Sequence, residues 1–434
     1  MNYNEIMYQI YPLGFTGAPK YNDSITESRI LKVLDWVDHL EKLGVTQVYF
    51  GPVFESDKHG YDTRDYQKLD CRLGTNEDFI KVSNALHEKG IKVIVDGVFN
   101  HVGRGFWAFE DVKAHKWDSR YNDWFFIDYN NNQNEDGFWY ADWEGHHELV
   151  KLNLNNPEVR NYLFESVNKW IEEFKIDGLR LDVAYCIDRG FLNDLKNFVK
   201  SKNENFFLLG EMIGGDYNLL LRECGLDTVT NYECRKGIFS ALNSLNMFEI
   251  GHSLNRQFGK EQWCIYRGQH LISFVDNHDV DRIASILTDK NHLKLCYDLI
   301  YAMPGIPCIY YGSEWGAEGR RTRESDDDLR PCFEKPLWNE LTDYIAKLSE
   351  IRKEYSAFEN GHFENIVLQN KAYSFKRCDD KGQLTFLMNI DSNECSLNGN
   401  YGVEKGIDLI TGEEYSLSDV KLPPYTAKFI YTKW

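Results

Sequence analysis

The sequence predicts an α/β fold: a (β/α)8 TIM barrel with an insertion after its third strand and a C-terminal all-β domain. Three observations carry that reading. Short β-branched or aromatic runs alternate with longer amphipathic stretches, the rhythm of βαβ units. The alternation supplies eight strands, enough to close a parallel sheet on itself, and a chain of 434 residues has room for a barrel of about 250 residues, an insertion and a tail. Beyond Ala357 the helical pattern stops and only short β-type runs remain.

The strands are read at Ile6–Tyr11, Val45–Phe50, Lys92–Val98, Gly178–Leu181, Phe206–Gly210, Thr228–Asn231, Leu271–Val275 and Pro307–Tyr310. Helical patterns fall at Glu27–Leu43, Asn76–Lys89, Pro157–Phe174, Gly190–Lys200, Arg282–Tyr301 and Asn339–Lys353. The stretch from His101 to Asn156 breaks the alternation and is rich in Trp, Tyr, Phe, Asn and Asp, so it reads as an insertion; long loops of this kind are usually functional. The expected division is 1–100 with 157–356 for the barrel, 101–156 for the insertion and 357–434 for the β domain. The tail runs Ala372–Lys376, Leu384–Asn389, Gly406–Leu409 and Lys428–Tyr431 are its expected strands.

Composition narrows the function. A net charge of −19 disfavours nucleic acid and anionic membranes, both of which need a cationic footprint. No segment offers the roughly 18 consecutive apolar residues of a membrane span, and the N-terminus has neither a basic nor an apolar leader region, which points to the cytoplasm. The ten cysteines are scattered without a Cys-x-x-Cys pair, so reduced thiols are expected. Aromatic residues at 15% exceed what packing usually demands, and aromatic faces stack on sugars, although most serve the core.

Acidic residues fall where a barrel places its chemistry. Asp96, Asp182, Glu211 and Asp279 each close a strand at its C-terminal end, the face that carries active sites. In Gly178-Leu-Arg-Leu-Asp182, Arg180 and Asp182 are two apart and share a face, so the guanidinium is expected to keep Asp182 ionised as a nucleophile. Leu208-Leu-Gly-Glu211 ends an apolar strand in one carboxylic acid, whose desolvation raises its pKa and suits it to protonate a leaving oxygen. Retaining glycosidases hold their two carboxyls about 5–5.5 Å apart, a distance neighbouring strand ends can supply. Asp96-Gly-Val-Phe-Asn-His101 and Phe274-Val-Asp-Asn-His-Asp279 add His101 and His278 as donors to sugar hydroxyls and Asp279 as an acceptor.

In this order and at these strand ends, the four segments resemble the conserved segments of the α-amylase family, glycoside hydrolase family 13, over most of residues 1–355. His59-Gly-Tyr-Asp-Thr63 and Gly305-Ile-Pro-Cys-Ile-Tyr-Tyr-Gly312 are similar to the family as well. The resemblance implies Asp182 as nucleophile, Glu211 as acid/base and Asp279 as transition-state stabiliser, with Tyr61, His101, Arg180 and His278 contacting the same sugar. Leu149-Val-Lys-Leu-Asn153 looks like the neopullulanase and cyclomaltodextrinase branch, with Lys151 where many α-amylases have a calcium-binding Asp, so no metal is expected there. Tyr185 and Cys186 depart from both branches and leave the acceptor side open. That branch usually carries an N-terminal β domain that builds a dimer, whereas here the barrel begins almost at Met1, and dimerisation is not carried over.

Trp107, Trp117, Trp124, Trp139 and Trp143 in the insertion are either sugar platforms or the core of a domain poor in aliphatic residues. After the last strand, Arg320–Arg330 reads as a solvated charged loop, from which Arg330 is expected to reach a donor-side hydroxyl. The expected activity is retaining hydrolysis of α-1,4 bonds in maltooligosaccharides, extending to cyclodextrins or pullulan, with no cofactor. A glucanotransferase using the same covalent intermediate is the alternative, and an inactive sugar-binding protein a remote one.

Overall fold

The computed structural model describes residues 3–132 and 136–434. Eight strands build the central sheet: β1 (Met7–Ile10), β2 (Gln47–Phe50), β3 (Lys92–Gly97), β4 (Gly178–Leu181), β5 (Phe207–Gly210), β6 (Thr228–Val229), β7 (Ile272–Ser273) and β8 (Ile306–Tyr310). They lie in the order β6-β5-β4-β3-β2-β1-β8-β7, every pairing parallel. A parallel bridge between Thr230 and Ile272 joins the two ends and closes the barrel. Met7, Tyr49, Ile94, Phe207, Leu209, Ile272 and Ile306 fill its interior, while the alternate residues of the same strands pack under the helices. Burial on both faces is why these strands read as near-continuous apolar runs. At Gly178 a Cβ would stand 2.5 Å from the Phe207 carbonyl oxygen, so only glycine lets β4 start this close to β5.

Most expected helices are present, with local signals setting their ends. Thr75 and Asp78 form a reciprocal capping box at the start of Asn76–Glu88, and Gly44, in the left-handed region at φ 84°, ends Val37–Leu43. The expected helix Glu27–Leu43 is a 3₁₀ segment, Arg29–Trp36, followed by that α-helix. Arg282–Tyr301 is not one helix but two, Ile283–Ile286 and His292–Ala302. The break falls where the Asp289 side chain accepts from the Asn291 backbone N–H at 2.9 Å, a local bond that competes with helix continuation. Two helices outside the sequence reading, Tyr232–Ser244 and Phe248–Phe258, lie between β6 and β7.

Between β3 and the helix Pro157–Lys169, the chain forms a three-stranded sheet of His101–Gly103, His146–Lys151 and Asp142–Trp143, beside the helix Trp107–His115. Its core is aromatic: Phe106, Phe109, Phe125, Phe138 and Tyr140 are buried together. The C-terminal segment makes a six-stranded antiparallel sheet, fastened to the barrel by buried arginines that donate to carbonyls. Arg377 reaches the Met303 carbonyl at 3.3 Å and Arg352 that of Phe358 at 3.4 Å. All ten cysteines are free thiols. No helix among the described residues is long and apolar enough to cross a membrane.

Candidate active site

The parallel register brings the acidic strand ends together. Arg180 on β4 pairs with Asp96 on β3 and with Leu209 on β5, so Asp182 and Glu211 both emerge just past the strand ends. The Arg180 guanidinium sits at the centre of three carboxyl groups. One Nη donates to Asp182 at 2.7 Å and to both oxygens of Asp96 at 3.0 and 2.9 Å; the other lies 2.9 Å from Glu211. Tyr49 donates its hydroxyl to Asp96 at 2.8 Å, and the Val183 backbone N–H donates to Glu211 at 2.8 Å. Val183 holds φ 38°, a left-handed conformation that costs a β-branched residue energy. The strained turn directly after Asp182 aims its amide at Glu211.

The electrostatics sharpen the expectation drawn from Arg180 and Asp182. One guanidinium shared by three buried carboxyls does not by itself hold Asp182 low. Burial pushes Asp182 well above the usual carboxylate range; Arg180 opposes this, and the neighbouring charges of Glu211 and Asp96 add to it. Burial likewise raises Glu211, with Arg180 and the Val183 amide pulling down and Asp279 and Asp96 pushing up. Burial and the mutual repulsion of neighbouring carboxyls thus favour protonation within the cluster, against the pull of the one guanidinium.

A second wall holds His278, Asp279 and Tyr61. Gln9 on β1 contacts His278 Nδ1 at 2.7 Å; His278 Nε2 lies 3.1 Å from Asp279 and hydrogen-bonds the Tyr61 hydroxyl, and the two rings stack 5.7 Å apart. Burial drives the His278 pKa down to about 3, so the ring is neutral near pH 7. Asp279 behaves oppositely to Asp182: burial opposes its charge, but His278, Arg330 and Arg180 hold it below the usual range. Arg330 donates to Asp279 at 3.1 Å and to the His278 carbonyl at 3.0 Å, with its guanidinium 4.5 Å from the Tyr11 ring. The expected residue thus lines the cleft while gripping Asp279. His101 is also neutral, lowered to about 3 chiefly by burial. Its Nδ1 pairs with the Asn100 amide at 3.1 Å; Nε2, 3.8 Å from Asp182, has no hydrogen-bond partner among the described residues and is positioned to donate to a sugar hydroxyl.

These groups line one cleft of ≈ 1180 Å³. Asp182, Glu211, Asp279, Tyr61, His101 and Arg330 face it, while Arg180, His278 and Asp96 support it from behind. Of the five tryptophans in the insertion only Trp143 lines the cleft, stacked on His146 at 5.2 Å. Trp107 and Trp124 pack with Tyr121 and Tyr162 away from it, and Trp117 lies against Tyr129 with the rings tilted by 31°. Gln9, Tyr49 and Val183 escaped the sequence reading. Gln9 and Tyr49 carried a signal: both stand at inward positions of apolar strands and place a polar tip toward the strand-end acids.

Paired carboxyls around a shared guanidinium at the mouth of a (β/α)8 barrel, beside a third carboxylate and two neutral imidazoles, define a glycoside hydrolase of the two-carboxylate type. The family model described as "Alpha amylase, catalytic domain" matches residues 9–344, and the chain belongs to the α-amylase family of α-glucan-active hydrolases. It is 30% identical over 429 residues to a cyclomaltodextrinase of Bacillus sp., covering 92% of this chain and 75% of that protein. It is also 30% identical to neopullulanase 2 of Thermoactinomyces vulgaris, over 94% of this chain and 74% of the relative. Among solved structures, the cyclic α-maltosyl-(1→6)-maltose hydrolase of Arthrobacter globiformis in complex with that sugar superposes with a TM-score of 0.83 at 25% identity, covering 99% of this chain and 98% of that one.

Proposed function

We propose that the protein hydrolyses α-1,4 bonds of maltooligosaccharides by double displacement, and that cyclodextrins and pullulan fall within its substrate class. The single observation that carries the reading is the pair of contacts from Arg180, 2.7 Å to Asp182 and 2.9 Å to Glu211, which hold two carboxyls on neighbouring strand ends at one point of the cleft. Glu211, raised by burial, protonates the glycosidic oxygen. Asp182 attacks the anomeric carbon from the opposite face, and its negative charge is consumed as the ester forms. Glu211, now a carboxylate, takes a proton from the incoming water, and attack of that water frees Asp182. Asp279, held ionised by its cationic neighbours, accepts from hydroxyls of the same sugar, and the neutral His101 donates to another. Tyr61 offers its ring as the floor. The relatives' names supply the substrate class: cyclomaltodextrinase and neopullulanase.

The reading assigns no cation to the region around Asn100. The Asn100 side-chain nitrogen contacts His101 at 3.1 Å and its backbone carbonyl accepts from the Leu152 N–H at 3.0 Å, and Lys151, a residue with no oxygen ligand in its side chain, pairs with His101 across the strands. Ten free thiols support a reducing compartment, the cytoplasm. The test is turnover of maltotriose, cyclodextrin, pullulan and starch with chromatographic product analysis. Asp182→Asn and Glu211→Gln are each expected to lose nearly all turnover while keeping the wild-type circular dichroism spectrum. Substantial residual activity overturns the assignment, and products longer than maltotriose as the main outcome replace hydrolysis with transfer.

A further inference from the structure

Beyond Glu211 the cleft continues into a second cavity of ≈ 420 Å³, and Ile213 and Tyr232 line both. The proton donor in a glycoside hydrolase stands beside the leaving oxygen, so the cavity that shares Glu211's own loop lies on the leaving-group side. Its floor comes from the helix Tyr232–Ser244, through Glu233, Arg235, Lys236 and Phe239, and from Arg256 on the next helix.

The charge there is lopsided. Glu233 and Arg256 neutralise each other through a two-point ion pair. Arg235 and Lys236 have no ion-pair partner among the described residues. Arg235 spends its Nε on the Val275 carbonyl at 3.2 Å and lays its guanidinium 5.0 Å from the Phe239 ring, which fixes the fork and leaves its terminal nitrogens free of any protein hydrogen bond among the described residues. The nearest acids are committed elsewhere: Asp276 accepts from Ser313 and the Ile283 N–H, and Asp281 from the Arg321 N–H. Burial lowers the Arg235 pKa, the mark of a partly desolvated cation whose charge is incompletely matched. In a chain of net charge −19, two unpaired cations side by side in a cavity joined to the catalytic cleft call for an anion. The planar fork of an arginine held against an aromatic ring suits bidentate recognition of a phosphate or carboxylate.

We propose that this cavity is a leaving-group subsite for an anionic substituent, a phosphate or carboxylate carried on the sugar beyond the scissile bond, gripped by Arg235 and Lys236. It rests on the hydrolase reading above and extends it to charged α-glucosides. Such a substrate would come from a reaction that phosphorylates or oxidises a primary hydroxyl of the oligosaccharide.

The test measures binding apart from turnover. Calorimetry with the Glu211→Gln protein compares neutral maltotetraose, maltotetraose with a 6-phosphate on its reducing-end glucose, the corresponding uronic acid and inorganic phosphate. The phosphorylated or oxidised sugar is expected to bind about tenfold more tightly than the neutral one, with the advantage shrinking as salt rises. Adding Arg235→Gln or Lys236→Gln to Glu211→Gln should bring the ratio of charged to neutral affinity toward one; using the ratio separates this effect from general damage. Binding of inorganic phosphate alone, with no gain for the sugar-borne anion, would overturn the subsite, as would equal affinity for charged and neutral sugars. Wild-type turnover of neutral maltotetraose reports separately on the hydrolase reading.

Discussion

Replacing Arg180 with glutamine removes the only lysine or arginine within ion-pair distance of Asp96, Asp182 and Glu211 among the described residues. All three carboxyls are buried, and four contacts of 2.7–3.0 Å disappear at once. Losing one partner of a buried ion cluster typically costs about 3–5 kcal/mol, because the remaining charges stay desolvated. In a chain of this size that is a fall of roughly 3–6 °C in Tm. The pH dependence identifies the cause. Burial already raises the three carboxyls in the wild type, and removing the cation raises them further. A group whose folded pKa is raised contributes stability that is fully present below its unfolded pKa, near 4 for these acids, and is lost as pH climbs through the folded value. The Tm deficit of Arg180→Gln should therefore be smallest at pH 5 and grow toward pH 8. Thermal unfolding followed by circular dichroism at pH 5, 6.5 and 8 measures it. A deficit that is constant with pH, or that shrinks as pH rises, would refute the shared-guanidinium argument.

Three further outcomes follow from other parts of the molecule. Burial raises Asp298 to about 7, and one of its oxygens has no hydrogen-bond partner among the described residues while the other accepts from Tyr344 at 2.5 Å. Asp298→Asn should then raise Tm at pH 8, by up to about 4 kcal/mol of stability, and change it little at pH 4; urea titrations at the two pH values decide it. The alkaline limb of kcat/KM should lie above the ordinary carboxylate range, since a raised Glu211 must keep its proton and activity falls as pH rises through its folded pKa. A limb near pH 4 would count against Glu211 as the acid. Incubation with a calcium chelator should leave both Tm and turnover unchanged, and a Tm restored only by added calcium would reverse the assignment at Asn100 and Lys151.

The fold was legible because a barrel strand buried on both faces leaves a short apolar run, and seven of the eight strands announced themselves this way. The weak one, β6, is two residues long and owes its place to the closing bridge between Thr230 and Ile272. The helices Tyr232–Ser244 and Phe248–Phe258 escaped notice because they follow the weak strand β6, although Asn231 caps the first by accepting from the Cys234 N–H at 3.1 Å. That gap also hid the second cavity, whose cations all ride on those helices. Asp182 and Glu211 were legible from position alone. Their electrostatics were not, because local spacing shows Arg180 beside Asp182 but cannot show that Asp96 and Glu211 draw on the same guanidinium from adjacent strands. Likewise, five tryptophans in the insertion looked equivalent until tertiary packing set Trp143 against the cleft and buried Trp124 beneath the exposed Trp107 in an aromatic cluster.

The central claim is that Asp182 forms a covalent bond to the sugar. An α-maltosyl fluoride bearing a second fluorine at C5 of the ring that reacts slows the second displacement and lets the ester accumulate, so that mass spectrometry of a digest locates it. The account predicts one maltosyl adduct on the peptide carrying Asp182 and an α-anomeric first product by NMR. An adduct on Glu211 or Asp279, or a β-anomeric first product without any adduct, would contradict it.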